Sequence, residues 1–291
     1  MFHIGKHRID RVADMESVNL PTNRGFPDLP KSALEKCASE MGPRFVDPVT
    51  LDLRISFHSY VIRTNGLVIL VDGCIGDDKH RKARPDWNLR KGGFLDRLAQ
   101  VGVKPEDVDF VMCTHMHADH VGWNTKLVNG NWVPTFPKAR YLMADIEYQH
   151  WKRRYEAEGE SLNHGSFADS VLPVISSGQA EMISMSHRVN EGIYLEPAAG
   201  HTPGSVLIHI EDSSHHGVMT GDIIHHPIQL EFPTMHSKYC EDPKTSTAKR
   251  LSICNQYANT STEILTAHFP APSAGRIVLQ EGRFGFKFHG E

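Results

Sequence analysis

The sequence predicts an α+β protein with a sheet-on-sheet core and helices outside. Short runs of β-branched and apolar residues, the pattern of strands, recur in both halves of the chain. Segments with helical periodicity are mixed among them in both halves, which favours this class. With 291 residues, 40% of them hydrophobic and 23% charged, the chain can bury a sizeable core without disulfides.

The chain is predicted to form a single domain, 1–291, in two unequal parts. Residues 1–58 are rich in proline and charge, with one helical candidate at 31–40, so we expect an irregular arm or cap there. Strand-like patterning begins after this segment, and we assign 59–291 to the core.

The core elements follow from local patterning. The runs 59–64 and 67–74 flank the pair Asn65 and Gly66, which is typical of a tight hairpin turn. The other elements predicted for the first half are a helix at 94–103, a buried strand within 104–115, a strand at 139–144 and a helix at 145–160. Those predicted for the second half are strands at 181–186, 192–198, 205–212, 215–222 and 262–268, a helix at 242–258 and a closing hairpin at 275–288.

Charge and targeting patterns restrict the partners and the compartment. The net charge is −4 and the pI is near 6.5, so neither nucleic acid nor an anionic membrane is an expected partner. The first residues lack the pattern of a secretory signal, and no window approaches the roughly 20 apolar residues of a membrane span. We therefore expect a cytoplasmic protein. Its five scattered cysteines, without a C-x-x-C pair, argue against a disulfide framework or a structural zinc knot.

The stretch "CTHMHADHVGW", 113–123, is the strongest functional signal in the sequence. It begins where the apolar run "VDFVM" leaves the core. Because extended backbone alternates its faces, His115 and His117 point the same way and suit one metal ion. Asp119 and His120 follow as the chain turns toward a helix, where they can serve a second ion. Four candidate ligands within six positions predict metal binding.

Three further candidates stand at the ends of other predicted strands. His201 lies in the glycine- and proline-marked loop "AAGHTPGS", Asp222 follows the strand that ends in "VMTGD", and His268 follows "ILTA". Each alone is explained equally well as a loop, cap or surface residue. Their common position at strand exits favours a shared site.

These motifs resemble the metallo-β-lactamase superfamily. The carriers are H-x-H-x-D-H at 115–120, G-H-T-P-G at 200–204, T-G-D at 220–222 and A-H at 267–268, in the superfamily's order and with similar spacing. The resemblance spans about 59–268 and implies an αββα sandwich, two packed mixed sheets flanked by helices, with a dinuclear site at one edge. It implies that His115, His117 and His201 hold one ion, that Asp119, His120 and His268 hold the other, and that Asp222 bridges both.

Departures within the superfamily narrow the resemblance. The second-ion ligands include no cysteine, unlike those of the best-known β-lactamases, and His117 stands where flavodiiron oxygen reductases have a glutamate. The set resembles N-acyl homoserine lactonases and the related methyl parathion hydrolases and glyoxalase II. His225 stands where quorum-quenching lactonases have a tyrosine and methyl parathion hydrolase-like proteins have a histidine. Trp123 replaces the small residue of many relatives, which implies an altered pocket wall.

The chemistry of such a site can be argued from its ligands. Two divalent ions that share a carboxylate lower the pKa of a bridging water, and the hydroxide attacks a carbonyl or phosphoryl group polarised by one ion. Asp222 is the shared carboxylate, Asp119 could pass the proton to the leaving group, and His225 could donate to the developing oxyanion. A packing role is the alternative for His225. Asp72 is predicted to accept an N–H from a ligand imidazole, with a turn-forming role as the alternative.

The sequence therefore predicts a dinuclear metal-dependent hydrolase that opens lactones or cleaves carboxylic esters. The expected cofactors are two divalent ions, with zinc first, although manganese, iron and cobalt accept the same ligands. An organophosphate triester hydrolase and a thioester hydrolase resembling glyoxalase II are the enzymatic alternatives, and a metal-binding interaction module is the non-enzymatic one. A homodimer is a further prediction, because the segment 1–58 could cross to a partner subunit.

The remaining histidines and aromatic residues carry weaker predictions. His215 and His216 are expected in a solvated hairpin turn, and His226 is expected to point away from its neighbour His225. The candidate pocket-wall residues are Phe26, His58, Trp87 and Trp123, each with plain packing as the alternative.

Overall fold

The computed structural model describes residues 1–291 and contains fifteen strands and eight α-helices. The strands, in chain order, are β1 (Phe2–Ile4), β2 (His7–Leu20), β3 (Leu53–Thr64), β4 (Leu67–Val71), β5 (Phe110–Met112), β6 (Thr125–Val128), β7 (Asn131–Pro134), β8 (Arg140–Ala144), β9 (Ala180–Ile183), β10 (Ile193–Pro197), β11 (Val206–Asp212), β12 (His215–Met219), β13 (Glu263–Leu265), β14 (Ala274–Gln280) and β15 (Arg283–Phe288). The helices are α1 (Thr22–Gly25), α2 (Lys31–Met41), α3 (Phe94–Gln100), α4 (Ala118–Val121), α5 (Asp145–Glu158), α6 (Leu172–Ser176), α7 (Ile228–Glu231) and α8 (Pro243–Tyr257).

Contacts within the chain divide it into two compact units. The first comprises Met1–Asp14 and Phe57–His187, and the second comprises Met15–Ser56 and Arg188–Glu291. The description of the chain as one domain stays a prediction. None of the helices has the length and hydrophobicity that crossing a bilayer requires.

A mixed sheet of seven strands runs in the order β1-β2-β3-β4-β5-β8-β9. Strands β4, β5, β8 and β9 are parallel to one another, whereas β3 and β4 form an antiparallel hairpin. Consecutive residues Ile69, Leu70 and Val71 of β4 are all buried, because a parallel strand inside a sheet is covered on both faces. The carboxyl ends of β4 and β5 lie side by side, which places the segments that follow them at one edge of this sheet.

The first unit has its own hydrophobic core. Leu70, Val111 and Trp151 belong to it, and helix α5 contacts strands β8 and β9. Trp123 also lies in this core, 5% exposed and stacked on Phe94 with ring centroids 5.3 Å apart. Core packing, the alternative given for Trp123, agrees with this position, and its interpretation as a pocket wall stays a prediction.

The second unit contains a mixed sheet of six strands in sequence order, β10 to β15. All neighbours pair antiparallel except β12 and β13, which are parallel. Helix α8 contacts β14 and helix α7 contacts β15. Asp242 caps α8 by accepting a hydrogen bond of 3.0 Å from the Thr245 backbone N–H. The loops at the ends of β11, β12 and β13 carry the predicted ligands of this unit.

Several element predictions are confirmed. Asn65 and Gly66 both have positive φ, 49° and 79°, as the tight turn between β3 and β4 requires. The helix predicted at 31–40 is α2, and those predicted at 145–160 and 242–258 are α5 and α8, each differing by a few residues at its ends.

The segment 1–58 is not the irregular arm that its composition indicates. It begins with the hairpin of β1 and the fourteen-residue strand β2. The charges of β2 obscure its strand pattern because two of its acidic residues are buried. Asp10 is paired with Arg63, and Asp14 is paired with Arg90 at 2.5 Å. Burial of a carboxylate becomes tolerable when a guanidinium supplies hydrogen bonds, and a sequence pattern alone does not reveal such a partner.

Candidate functional site

The first unit gathers the histidines of the H-x-H-x-D-H motif directly after β5. The chain leaves the sheet at Cys113 and turns into the short helix α4, which carries Asp119 and His120. His115 Nε2 and His117 Nδ1 lie 2.9 Å apart, and the His115 and His120 ring centroids are 4.0 Å apart. His115 and His120 are buried, while His117 and Asp119 are partly exposed. Three imidazoles and a carboxylate thus lie in one cluster of this unit.

Asp72 holds this cluster from the end of β4. It adopts a left-handed φ of 61° and accepts hydrogen bonds from Thr114 N at 2.7 Å and from His120 Nδ1 at 3.0 Å. A donated Nδ1–H leaves the Nε2 lone pair of His120 available as a ligand, which is the arrangement common in metal sites. The pairing of β4 with β5 explains the contact, because it brings the residues after both strands together.

Two polar side chains that were not selected from the sequence hold the backbone of the motif, Glu147, which is buried, and Asn163, which is partly buried. Glu147, on α5, accepts hydrogen bonds from Met116 N at 2.8 Å and from Trp151 Nε1 at 2.7 Å. Asn163 donates to Met116 O at 2.7 Å and accepts from Ala118 N at 3.1 Å. Both bind backbone groups of the motif, and these contacts depend on tertiary structure.

The second unit centres its own cluster on Asp222. This carboxylate follows β12 in a tight turn and is 6% exposed. Its Oδ1 lies 3.0 Å from His268 Nε2, and its Oδ2 lies 3.2 Å from both His201 Nε2 and His225 Nε2. One carboxylate therefore faces three imidazoles from three different loops.

The loops orient these imidazoles from behind. His268 Nδ1 donates to Ser56 O at 3.0 Å, which leaves the Nε2 lone pair on the side of Asp222. His201 Nδ1 lies 3.5 Å from the thiol of Cys240, a contact not predicted from the sequence. Gly200 has φ of 131°, and a Cβ there would meet Ser246 N at 2.3 Å, so only glycine lets this loop approach α8.

The pKa values of two histidines in this cluster are shifted in opposite directions. Burial acts to lower the pKa of His201, but Asp222 and Cys240 outweigh it and raise that pKa to about 9. Burial lowers the pKa of His225 to about 4 despite the same carboxylate. His225 is thus a neutral imidazole at pH 7, with a single N–H to donate.

His225 and His226 occupy different environments. The His225 ring meets Phe26 edge-on, with centroids 6.2 Å apart, and no ring nitrogen of His225 makes a hydrogen bond of good geometry. His226 instead donates from Nε2 to Phe45 O at 3.0 Å and accepts at Nδ1 from Ile228 N at 3.1 Å. Both of its nitrogens serve the backbone, so His226 is structural and points elsewhere, as the sequence predicts.

The remaining candidates for pocket-wall residues are Phe26, His58 and Trp87. Phe26 contacts His225, as described, and is fully buried. His58 meets Tyr60 edge-on at 5.0 Å, with its Nδ1 3.2 Å from Arg11. Trp87 packs edge-on against Phe57 at 5.4 Å and beneath the Arg84 guanidinium at 3.7 Å. Phe26 is thus in contact with a predicted site residue, His225.

The donor chemistry of both clusters fits divalent metal ions. Histidine nitrogens and aspartate oxygens are the ligands that zinc and similar ions prefer. The candidate ligands are His115, His117, Asp119 and His120 in the first unit and His201, Asp222 and His268 in the second. His120 and His268 each donate their other ring nitrogen to an oxygen acceptor, which fixes the tautomer that a metal requires.

Comparison with known families identifies the class. The family model of the metallo-β-lactamase superfamily matches residues 58–254, about two thirds of the chain. The chain therefore belongs to this superfamily.

Two curated relatives are N-acyl homoserine lactonases. The protein from Bacillus sp is 29% identical over 122 residues, which cover 41% of this chain and 40% of the relative. That from Bacillus cereus is 25% identical over 174 residues, which cover 55% of this chain and 61% of the relative. The match thus spans less than two thirds of either relative.

Solved structures share the fold over the whole chain. Hydrolase AbOPH of the β-lactamase superfamily superposes with a TM-score of 0.82 at 20% identity, covering 100% of this chain and 97% of the other. AidC, a dizinc quorum-quenching lactonase in complex with the product N-hexanoyl-L-homoserine, superposes with a TM-score of 0.80 at 18% identity and the same coverages. The predicted α+β class and metallo-β-lactamase fold are confirmed.

Proposed function

We propose that this member of the metallo-β-lactamase superfamily is a dinuclear metal-dependent hydrolase that opens lactones or cleaves carboxylic esters. The observation that carries the proposal is the Asp222 carboxylate, which faces His201 through one oxygen and His268 through the other. Such a carboxylate is suited to bridge two ions. The lactonase names of both curated relatives support the substrate class.

The proposed ligand set is the one that the family resemblance implies. One ion is assigned to His115, His117 and His201, the other to Asp119, His120 and His268, and Asp222 to both. When bound, two such ions supply an activated water and polarise the oxygen of the scissile group. Zinc is the proposed metal, supported by the imidazole-rich donor set and by the dizinc description of AidC.

The chain's own side chains supply orientation and proton transfer in this proposal. Asp119 is partly exposed, so its carboxylate can exchange a proton with the leaving alkoxide. His225, neutral because burial lowers its pKa to about 4, offers one N–H to the oxyanion that develops on the substrate. Asp72 orients His120 rather than touching substrate.

An organophosphate triester hydrolase is the second candidate. One residue, His225, favours it. Methyl parathion hydrolase-like proteins have a histidine at this position, whereas quorum-quenching lactonases have a tyrosine. An imidazole N–H can donate to a phosphoryl oxygen as well as to a carbonyl oxygen. The two candidates share the metal site and differ in the substrate that the pocket accepts.

A proton-release assay with metal-analysed protein tests the proposal. The panel comprises lactones of varied acyl length, aryl esters, a thioester and a phosphotriester, each tested with the parent protein, Asp222→Ala and the exposed-carboxylate control Glu191→Ala. The proposal predicts lactone or ester hydrolysis that Asp222→Ala abolishes and Glu191→Ala retains. Preference for the phosphotriester or the thioester would select that alternative. A metal-loaded protein inactive on the whole panel would favour the interaction module.

The cytoplasmic location and the homodimer stay predictions.

A further inference from the structure

A second kind of histidine cluster lies on the hairpin of β11 and β12. His209 and Glu211 are two residues apart on β11 and therefore share a face, and Glu211 pairs directly with His216 of β12. This cluster lies at the His215 end of β12, whereas Asp222 follows the opposite end of the strand. The three side chains are thus separate from the candidate catalytic ligands.

The three side chains converge with distances suited to one ion. His209 Nδ1 lies 3.0 Å from His216 Nε2, and His216 Nε2 lies 3.7 Å from Glu211 Oε1. Ligand atoms about 2.0–2.1 Å from a tetrahedral ion are separated from one another by about 3.3 Å. The two observed separations lie on either side of that value, and all three ligand atoms lie within 4.8 Å of one another.

Further hydrogen bonds support the three ligand side chains. His209 Nε2 lies 2.8 Å from Glu196 Oε2, and His216 Nδ1 lies 3.3 Å from Thr262 Oγ1. The Tyr194 hydroxyl donates to Glu211 Oε1 at 2.5 Å. Support by an oxygen at the second nitrogen of each imidazole is what metal-binding histidines show, and a carboxylate acceptor is especially common.

The tautomers required by an ion are compatible with these contacts. The carboxylate of Glu196 takes the Nε2–H of His209, so Nδ1 of that ring carries a lone pair. With that tautomer His209 Nδ1 can only accept, so His216 Nε2, 3.0 Å away, is the donor when no ion is bound. Moving that proton to Nδ1, which Thr262 can accept, frees His216 Nε2 as a ligand without a net change in protonation.

We propose that His209, Glu211 and His216 form a third metal site for a single divalent transition-metal ion such as Zn²⁺. The side chain of His209 is buried, whereas those of His216 and Glu211 are 25% and 44% exposed, so water can complete the coordination. The ion joins neighbouring strands β11 and β12. Because the cluster lies at the end of β12 opposite Asp222, we assign it a structural or metal-sensing role rather than a step in hydrolysis.

Metal stoichiometry with matched histidine variants tests this site. The full chain is stripped with chelator, dialysed against Zn²⁺ and analysed for bound metal, in parallel with His216→Ala, Glu211→Gln and His215→Ala. His215 is the control because it adjoins His216 but is exposed and directed to the other face. We expect one equivalent fewer in His216→Ala than in the parent and in His215→Ala, and at least tenfold weaker binding of that equivalent in Glu211→Gln.

The outcome is independent of the proposed function because it is read as a difference between two variants. Loss of one equivalent in His216→Ala supports the third site even if the Asp222 cluster binds no metal. Equal metal content in His216→Ala, His215→Ala and the parent would overturn it. A cobalt-substituted sample provides a second readout, since His216→Ala should remove part of the visible d–d absorption while circular dichroism confirms an unchanged fold.

Discussion

His120 Nδ1 lies 3.0 Å from Asp72 Oδ2, and both residues are buried. The same carboxylate accepts the Thr114 backbone N–H at 2.7 Å, so it fixes at once the direction of the chain after β5 and the tautomer of the imidazole. The residues that follow two parallel strands, β4 and β5, therefore hold the orientation of His120.

Replacement of Asp72 tests this orienting role. Asp72→Asn keeps the shape of the side chain but weakens its capacity to accept two hydrogen bonds. We expect metal affinity to fall about 10- to 100-fold, as when outer partners of ligating histidines are removed. Competition with a chromogenic chelator measures the affinity. An affinity equal to that of the parent protein would show that Asp72 is only a turn former.

Asp222 is expected to be the most sensitive site residue. Asp222→Asn leaves a neutral amide before His201 and His268, so we expect loss of bound metal at this cluster and at least a 10³-fold fall in kcat/KM. Metal analysis and hydrolysis of the best panel substrate measure both. In the metal-free protein the pKa of His201 should also fall from about 9, because Asp222 raises it. Full activity in Asp222→Asn would contradict the bridging role.

The neighbouring histidines provide a matched pair of variants. His225→Leu should lower kcat by about 10²-fold with bound metal unchanged, because removal of an oxyanion donor acts on the transition state. His226→Leu should lower thermal stability and leave the kcat of the folded protein near the parent value, since His226 bonds to Phe45 O and Ile228 N. If both variants behave alike, the packing interpretation of His225 is preferred.

A buried ion cluster in the first unit predicts unequal effects on stability. Asp169 binds Arg81 through two hydrogen bonds of 2.6 and 2.9 Å and lies 3.5 Å from Lys79, whose side chain is fully buried like that of Arg81. Asp169→Asn strands two cations and should cost about 3–5 kcal/mol of unfolding free energy. Lys79→Met leaves the Arg81 pair intact and should cost less. Urea denaturation measures both, and a smaller loss in Asp169→Asn would refute this account.

Lys79 also predicts a pH dependence. Burial lowers its pKa in the folded protein to about 7, against the opposing effect of Asp169. Between about pH 7 and 10.5 the unfolded chain binds more protons at this group than the folded one, so its contribution to stability rises with pH. The stability difference between the parent and Lys79→Met should shift in favour of the parent by up to about 1.4 kcal/mol per pH unit. A difference that is constant from pH 7 to 9 would contradict this.

The sequence predicted the features that depend on local patterning. The hairpin at Asn65 and Gly66, the helices α2, α5 and α8 and the clustering of His115, His117 and His120 follow from turn chemistry and periodicity. The strand β2 was missed because the arginines that allow Asp10 and Asp14 to be buried are distant in sequence. Glu147 and Cys240 were missed for the same reason. The expectation of a hairpin turn at His215 and His216 is wrong, because the turn between β11 and β12 has only two residues and both histidines lie on β12, with His216 opposite Glu211.

The most direct test of the central claim is a metal titration of activity. Metal-free protein carrying His216→Ala, which removes the proposed third site, is titrated with Zn²⁺ while hydrolysis of the best lactone or ester is followed. We expect activity to reach a plateau at two equivalents per chain and to be absent when Asp222→Asn is added. Hydrolysis that persists in the metal-free protein, or that is indifferent to Asp222→Asn, would contradict it.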